Sequence, residues 1–102
     1  MNQIDAGELK RRMQSGEKLN LLDVREVIEY HTFNIGGPNT PLPQLQHMLH
    51  HLPYTKTDEI IVICSAGIRS NTAVQLLTQS GFTNVHNLKG GLLALQKLNS
   101  KQ

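Results

Sequence analysis

The 102-residue chain is poor in the residue types that staple, stack or span. It carries a single cysteine, Cys64, so no internal disulfide can form and the fold must stand on packing alone, as intracellular proteins usually do. Tryptophan is absent and the aromatic side chains are only Tyr30, Phe33, Tyr54 and Phe82, too few for the stacking platform of a single-strand nucleic-acid binder. Neither sign of charge dominates: the net charge is +2, and the ten Lys and Arg residues are scattered apart from Lys10-Arg11-Arg12, so a nucleic-acid partner is not expected. No stretch reaches the about 18 consecutive apolar residues of a membrane span. Residues 1–20 are punctuated by charges and lack the apolar core of a signal peptide. The expectation is a soluble, cytoplasmic protein with no membrane contact. With 38% hydrophobic residues, a chain of this length supports one core and therefore one domain over residues 1–102.

What the chain does have is concentrated around its cysteine. Ile60, Ile61, Val62 and Ile63 are consecutive β-branched aliphatics and predict a strand buried on both faces. The apolar spacing through Ala73, Val74, Leu76 and Leu77 predicts a helix over about residues 69–79. Cys64 thus falls in a strand-to-helix turn, where free N–H groups converge and the positive end of a helix dipole adds to them. An anion belongs in such a turn, and a thiolate is one, so the placement favours a nucleophilic sulfur. Arg69 adds a permanent cation to the same loop.

The rest of the pattern alternates. Gln3-Ile4 suggests a short edge strand, and Asp5 with Glu8 a capping box for an amphipathic helix that Gly16 ends. Residues 19–24 predict a second strand, and residues 26–30 one helical turn. Residues 33–43, with Gly36, Gly37, Pro38, Pro41 and Pro43, predict an irregular stretch. Helical spacing resumes over residues 44–52 through Leu45, Met48, Leu49 and Leu52, and Pro53 stops it. Gly81 is a candidate helix C-cap, residues 85–88 a short strand, and residues 92–98 a last helix. Strands alternating with helices through short connections imply a mostly parallel α/β sheet covered on both faces. Ligand sites of such sheets lie beyond the carboxyl ends of the strands, which brings the Cys64 loop and residues 23–26 to the same end.

Four segments, in order, resemble the rhodanese family of sulfurtransferase domains. They are Leu21-Leu22-Asp23-Val24-Arg25-Glu26 with Glu29-Tyr30; Asn34-Ile35-Gly36-Gly37 with Asn39-Thr40-Pro41-Leu42; Cys64-Ser65-Ala66-Gly67-Ile68-Arg69-Ser70 with Ala73; and Gly81-Phe82 with Leu88-Lys89-Gly90-Gly91. Each alone is a weak motif, but their collinearity over nearly the whole chain is specific. The resemblance implies a five-stranded parallel sheet flanked by helices. It implies a sulfurtransferase without metal or organic cofactor, in which Cys64 takes the outer sulfur of thiosulfate or a persulfide and passes it, as a persulfide, to a thiol or cyanide acceptor. It further implies that the N–H groups of Ser65, Ala66, Gly67, Ile68 and Arg69 cradle the sulfur, that Arg69 attracts an anionic donor, and that Ser70 caps the following helix. A protein persulfide partner is the alternative: a sulfur relay that turns over free donors slowly, an alternative favoured by Ser65 where many thiosulfate-using members have a basic residue. The resemblance departs from the family in two further places, Phe33-Asn34 in the second segment and Leu92 after the closing glycines.

A small phosphatase or arsenate reductase is the other rival. Its relatives place five residues between cysteine and arginine, whereas Ser65, Ala66, Gly67 and Ile68 make four here, a smaller cradle better matched to sulfur than to a tetrahedral oxyanion. Asp23 could act on the donor or could hold loop amides and pair with Arg25, and the structural role is the favoured one. Arg25 could bind substrate or simply be solvated. His47, His50 and His51 share a helix face without a cysteine or acid to complete a metal shell, and are expected to be a solvated face.

Overall fold

In the computed structural model, residues 2–100 are described, and they form one sheet with a helical layer on each side. Four parallel strands, β1 (Gln3–Ile4), β2 (Leu21–Asp23), β3 (Ile60–Ile63) and β4 (Val85–Leu88), stand in the order β1-β4-β3-β2. The all-parallel order follows from the connections, since each strand is followed by a helix that returns the chain to the same end of the sheet.

The sheet has four strands rather than the five the resemblance implies. The missing one survives as a single parallel bridge between Asp23 and Asn39 on the outer side of β2. There the Asp23 N–H donates to the Pro38 carbonyl and the Thr40 N–H to the Asp23 carbonyl. Pro38 has no N–H to carry the ladder back along β2, and past Asp23 the register slips, the Leu42 N–H donating to the Val24 carbonyl, so regular pairing stops at one bridge.

Side-chain alternation along β3 builds both halves of the core. Ile60, Val62 and then Cys64 point to one face, where they meet α4 (Ile68–Gln79) and α3 (Leu42–Met48) through Ala73, Val74, Leu77 and Leu45. Ile61 and Ile63 point to the other, packing with Leu9 of α1 (Ala6–Gln14) and Leu92 and Leu95 of α5 (Gly91–Asn99). All four aliphatics of β3 have no solvent exposure, as expected of a central strand in a covered parallel sheet. The period of two therefore sets, by parity, the face on which Cys64 lies.

Local chemistry explains most element ends. Asp5 caps α1 by accepting the Glu8 N–H at 2.8 Å. α2 (Val27–Thr32) opens with a reciprocal capping box between Glu26 and Glu29. α3 begins at Leu42, two residues before the spacing suggests, because Pro43 sits in its first turn, where a missing N–H costs nothing. A 3-10 turn over Leu49–His51 completes it. α4 ends with Gly81 at φ +98°, the Gly81 N–H donating to the Thr78 carbonyl and the Phe82 N–H to the Leu77 carbonyl, the paired bonds of a Schellman close. Among the described residues no helix is long and apolar enough to cross a membrane.

Candidate active site

At the carboxyl end of β3 the chain turns from Cys64 into α4 within four residues. Gly67 is the N-cap and adopts a left-handed conformation at φ +92°, which a residue with a Cβ resists. Having no side chain, Gly67 cannot satisfy the free N–H groups of the first helical turn. The Cys64 sulfur does so instead: Sγ accepts the Gly67 N–H at 3.1 Å and the Ser70 N–H, the third of the helix, at 3.2 Å. A cysteine sulfur thus occupies the place of an N-cap oxygen, aimed at by two backbone dipoles and the positive end of a twelve-residue helix.

Burial and polarity pull in different directions at this residue. Cys64 is only 1% exposed and belongs to the core cluster of the α3–α4 face, which is where an inert structural cysteine would also sit. Its donors distinguish it. Two backbone N–H groups donate to its sulfur, contacts that a cysteine packed only among aliphatic side chains would lack.

The loop is held in this shape by its neighbour. The N-terminus of α5 abuts it, the Leu92 N–H donating to the Cys64 carbonyl at 2.9 Å and the Leu93 N–H to the Ser65 carbonyl at 3.0 Å. With those carbonyls turned outward, the amides that follow are free to turn in. The approach requires Gly91, where a Cβ would lie 2.5 Å from the Cys64 carbonyl oxygen, and Gly67, where a Cβ would lie 3.0 Å from the Gly90 nitrogen.

Ser70 lies at the third position of α4 rather than at its cap, so the expected capping role passes to Gly67 and to the cysteine sulfur. Its hydroxyl is 3.1 Å from Sγ and donates onward to the Asn87 side-chain carbonyl, while Asn87 Nδ2 donates to the Gly67 carbonyl at 3.3 Å. Asn87 is buried on β4 and closes a ring through Ser70, Cys64 and Gly67. The sequence carries one signal for it, a polar residue at a buried position of a central strand.

The Arg69 guanidinium donates its hydrogen bonds to a carboxylate and not to the sulfur. Its two terminal nitrogens pair with the two carboxylate oxygens of Glu29 on α2, at 2.6 and 3.0 Å, and the Ser65 hydroxyl donates to the same carboxylate at 3.3 Å. This two-point pairing, with the Glu26 N–H as a further donor, holds the Glu29 carboxyl down at about 2, below its ordinary 4.5. The Arg69 guanidinium is held more firmly protonated by the same contact. Forty residues separate Glu29 from Arg69, and sequence spacing alone does not mark Glu29 as a partner of the loop.

Asp23 and Arg25 form a buried pair beside this site. Asp23 accepts from the Arg25 N–H at 3.0 Å and from its guanidinium at 2.9 to 3.2 Å. The remaining guanidinium donors reach the Glu29 and Phe33 carbonyls of α2 at 3.3 and 2.6 Å. Arg25 is therefore neither solvated nor free, and it ties α2 to β2 at the level where Glu29 meets Arg69. His47, His50 and His51 lie at the far end of α3 and its 3-10 turn. Among the described residues no group of three His, Cys, Asp or Glu side chains is placed to hold a metal.

A cleft of about 310 Å³ opens against Ser65, lined on its apolar side by Ile28, Phe33, Leu92 and Leu93 and on its polar side by Arg25 and Glu29. A larger cleft of about 530 Å³ lies along α4 near Thr78 and Phe82, but no titratable or nucleophilic side chain lines it. Chemistry, not size, favours the smaller one.

A parallel sheet with a cysteine capping the helix after its central strand makes this an α/β domain with its candidate site at the carboxyl end of β3. The chain belongs to the rhodanese-like domain family, whose sequence model matches residues 5–98. It is 35% identical over 91 residues to the Bacillus subtilis protein named "Putative sulfur carrier protein YrkF", covering 88% of this chain and 48% of that protein. It is 30% identical over 99 residues to a protein of Allochromatium vinosum named sulfurtransferase, covering 92% of this chain and 87% of that one. In structure it matches the rhodanese-like domain of the Anabaena Alr3790 protein with a TM-score of 0.84 and 32% identity, over 96% of this chain and 75% of that chain. The chain thus spans about half of the first of these relatives and most of the second.

Proposed function

We propose that this protein is a sulfurtransferase that carries sulfane sulfur as a persulfide on Cys64. The Cys64 thiolate attacks the outer sulfur of thiosulfate or of a persulfide, the bond to the donor's inner sulfur breaks, and sulfite or a thiolate leaves. A thiol or cyanide then removes the outer sulfur and restores the thiolate, so no external oxidant or reductant enters the cycle. The observation that supports this most directly is the pair of N–H donors from Gly67 and Ser70 on Sγ, which suit an anion both before and after transfer.

The phosphatase reading finds less support. An oxyanion cradle needs the loop arginine turned over the cysteine, and the Arg69 guanidinium is spent on Glu29. A sulfur relay between proteins is the second reading, supported by a relative named as a sulfur carrier and by the apolar wall of the cleft. Turnover separates the two. Thiocyanate formed from donor and cyanide over many cycles, and lost in Cys64→Ser, supports the enzyme. A single stoichiometric transfer that proceeds only from a protein persulfide supports the relay. Thiocyanate formation that persists in Cys64→Ser would refute both.

A further inference from the structure

The cations of the site are already neutralised from within. Arg25, the one cation among the described residues that line the Ser65 cleft, is buried and committed to Asp23 and to two carbonyls. Arg69 is engaged by Glu29 at both terminal nitrogens, and Arg69 Nη2 also reaches the Ser65 hydroxyl at 3.2 Å. Glu29 is itself anchored at four points, by Arg69 twice, by Ser65 and by the Glu26 N–H, so it cannot swing aside without breaking all of them. Lys89 follows β4 but is not among the residues that line the cleft. The opposite wall is apolar, with Ile28 72% and Leu93 58% exposed to solvent and Phe33 beside them.

Donors differ in the charge they bring to such a mouth. Attack on thiosulfate joins a thiolate to a dianion and expels sulfite, as Cys–S⁻ plus S–SO₃²⁻ gives Cys–S–S⁻ and SO₃²⁻. Attack on a protonated persulfide joins the thiolate to a neutral molecule, as Cys–S⁻ plus R–S–SH gives Cys–S–SH and R–S⁻. Both balance without a further reactant. Only the first needs a free cation to gather the charge, because like charges brought together away from bulk water repel strongly.

We propose that Glu29 is a specificity-determining residue: by closing the Arg69 guanidinium in a two-point ion pair, it withholds the loop cation from the donor and directs Cys64 toward persulfides whose sulfane sulfur rides on an uncharged, apolar body. This assignment rests on the sulfur-transfer role proposed for Cys64, and it makes dianionic donors poor ones. Ser65, whose hydroxyl also points into the pair, contributes no charge of its own.

The test is the single-turnover rate of sulfur loading onto Cys64, measured by intact mass with two donors, thiosulfate and the persulfide of N-acetylcysteine methyl ester. The ratio of the two rates is taken within each variant, which cancels any loss of folded protein. The natural protein is expected to favour the persulfide, which brings less charge than the thiosulfate dianion in either protonation state. Glu29→Gln keeps the shape and some hydrogen bonding but removes the charge, and should move the ratio toward thiosulfate by about tenfold, a gain that added salt erodes. Ser65→Lys, which places a new cation on the same wall, should move it the same way. A ratio unchanged in both variants, or a natural protein that loads equally from thiosulfate, overturns the proposal while leaving sulfur transfer intact. Loading from neither donor overturns the sulfur-transfer role itself and this assignment with it.

Discussion

The Ser70 hydroxyl stands between Cys64 and Asn87, 3.1 Å from the sulfur and donating its proton to the Asn87 side-chain carbonyl. Because Asn87 Nδ2 is committed to the Gly67 carbonyl, which can only accept, the amide oxygen must face Ser70. The Ser70 lone pair is therefore left toward the sulfur, where it accepts from a thiol but offers nothing to a thiolate. Two amides thus donate to the sulfur, and Asn87 keeps the Ser70 hydroxyl from doing so.

Replacing Asn87 by alanine should release that hydroxyl to donate to the sulfur. Alkylation of Cys64 by iodoacetamide at pH 7 is expected to quicken several-fold once corrected for the folded fraction. Stability should fall by about 1–3 kcal/mol, since Gly67 and Ser70 each lose a buried partner. An alkylation rate that is unchanged across pH would show that Asn87 is only a packing residue.

Backbone contact at Gly91 makes a sharp comparison possible. Gly91→Ala would drive a Cβ into the Cys64 carbonyl, at φ +64°, and should displace the loop, lowering stability by more than about 2 kcal/mol and abolishing sulfur loading. Gly16→Ala is the control: φ is +80° but nothing lies within 4 Å of the added atom, so only the conformational penalty of about 1–2 kcal/mol applies and loading should persist. Chemical denaturation of both, with loading measured on the folded protein, checks the pair. Equal loading by the two variants would contradict the role given to the α5 contact.

The Glu29–Arg69 pair predicts a defined acid window. The carboxyl is held at about 2 in the folded protein against an ordinary 4.5, so the pair's contribution is complete above the higher value and is lost as the pH falls toward the lower one. Both side chains are about one-third exposed, which limits the contribution to at most about 1 kcal/mol. The melting temperature of the natural protein should therefore exceed that of Glu29→Gln at pH 6 by a few degrees, and the gap should close between pH 4.5 and 2. A gap that widens on acidification would contradict the pairing.

Much of this was legible in the sequence because periodicity and chain order carry it. Four β-branched residues before Cys64 fixed a doubly buried strand, and their parity fixed the face on which the sulfur lies. What was not legible came from long-range side-chain pairing. Arg69 reads as a free cation until α2 brings Glu29 against it, and Arg25 reads as solvated until the Glu29 and Phe33 carbonyls claim its donors. The fifth strand implied by the resemblance shrinks to a single bridge beside Pro38, which has no N–H to extend it. Ser70 reads as the cap of α4, whereas it is the third residue of the helix and the sulfur itself supplies the cap.

Incubating the protein with thiosulfate, or with a low-molecular-weight persulfide, and weighing it intact tests the central claim most directly. One added sulfur, carried by the Cys64 peptide, absent from Cys64→Ser and removed by cyanide or a thiol, is the result expected of a sulfur anion held by the Gly67 and Ser70 amides. No adduct from either donor, or an undiminished adduct in Cys64→Ser, would contradict it.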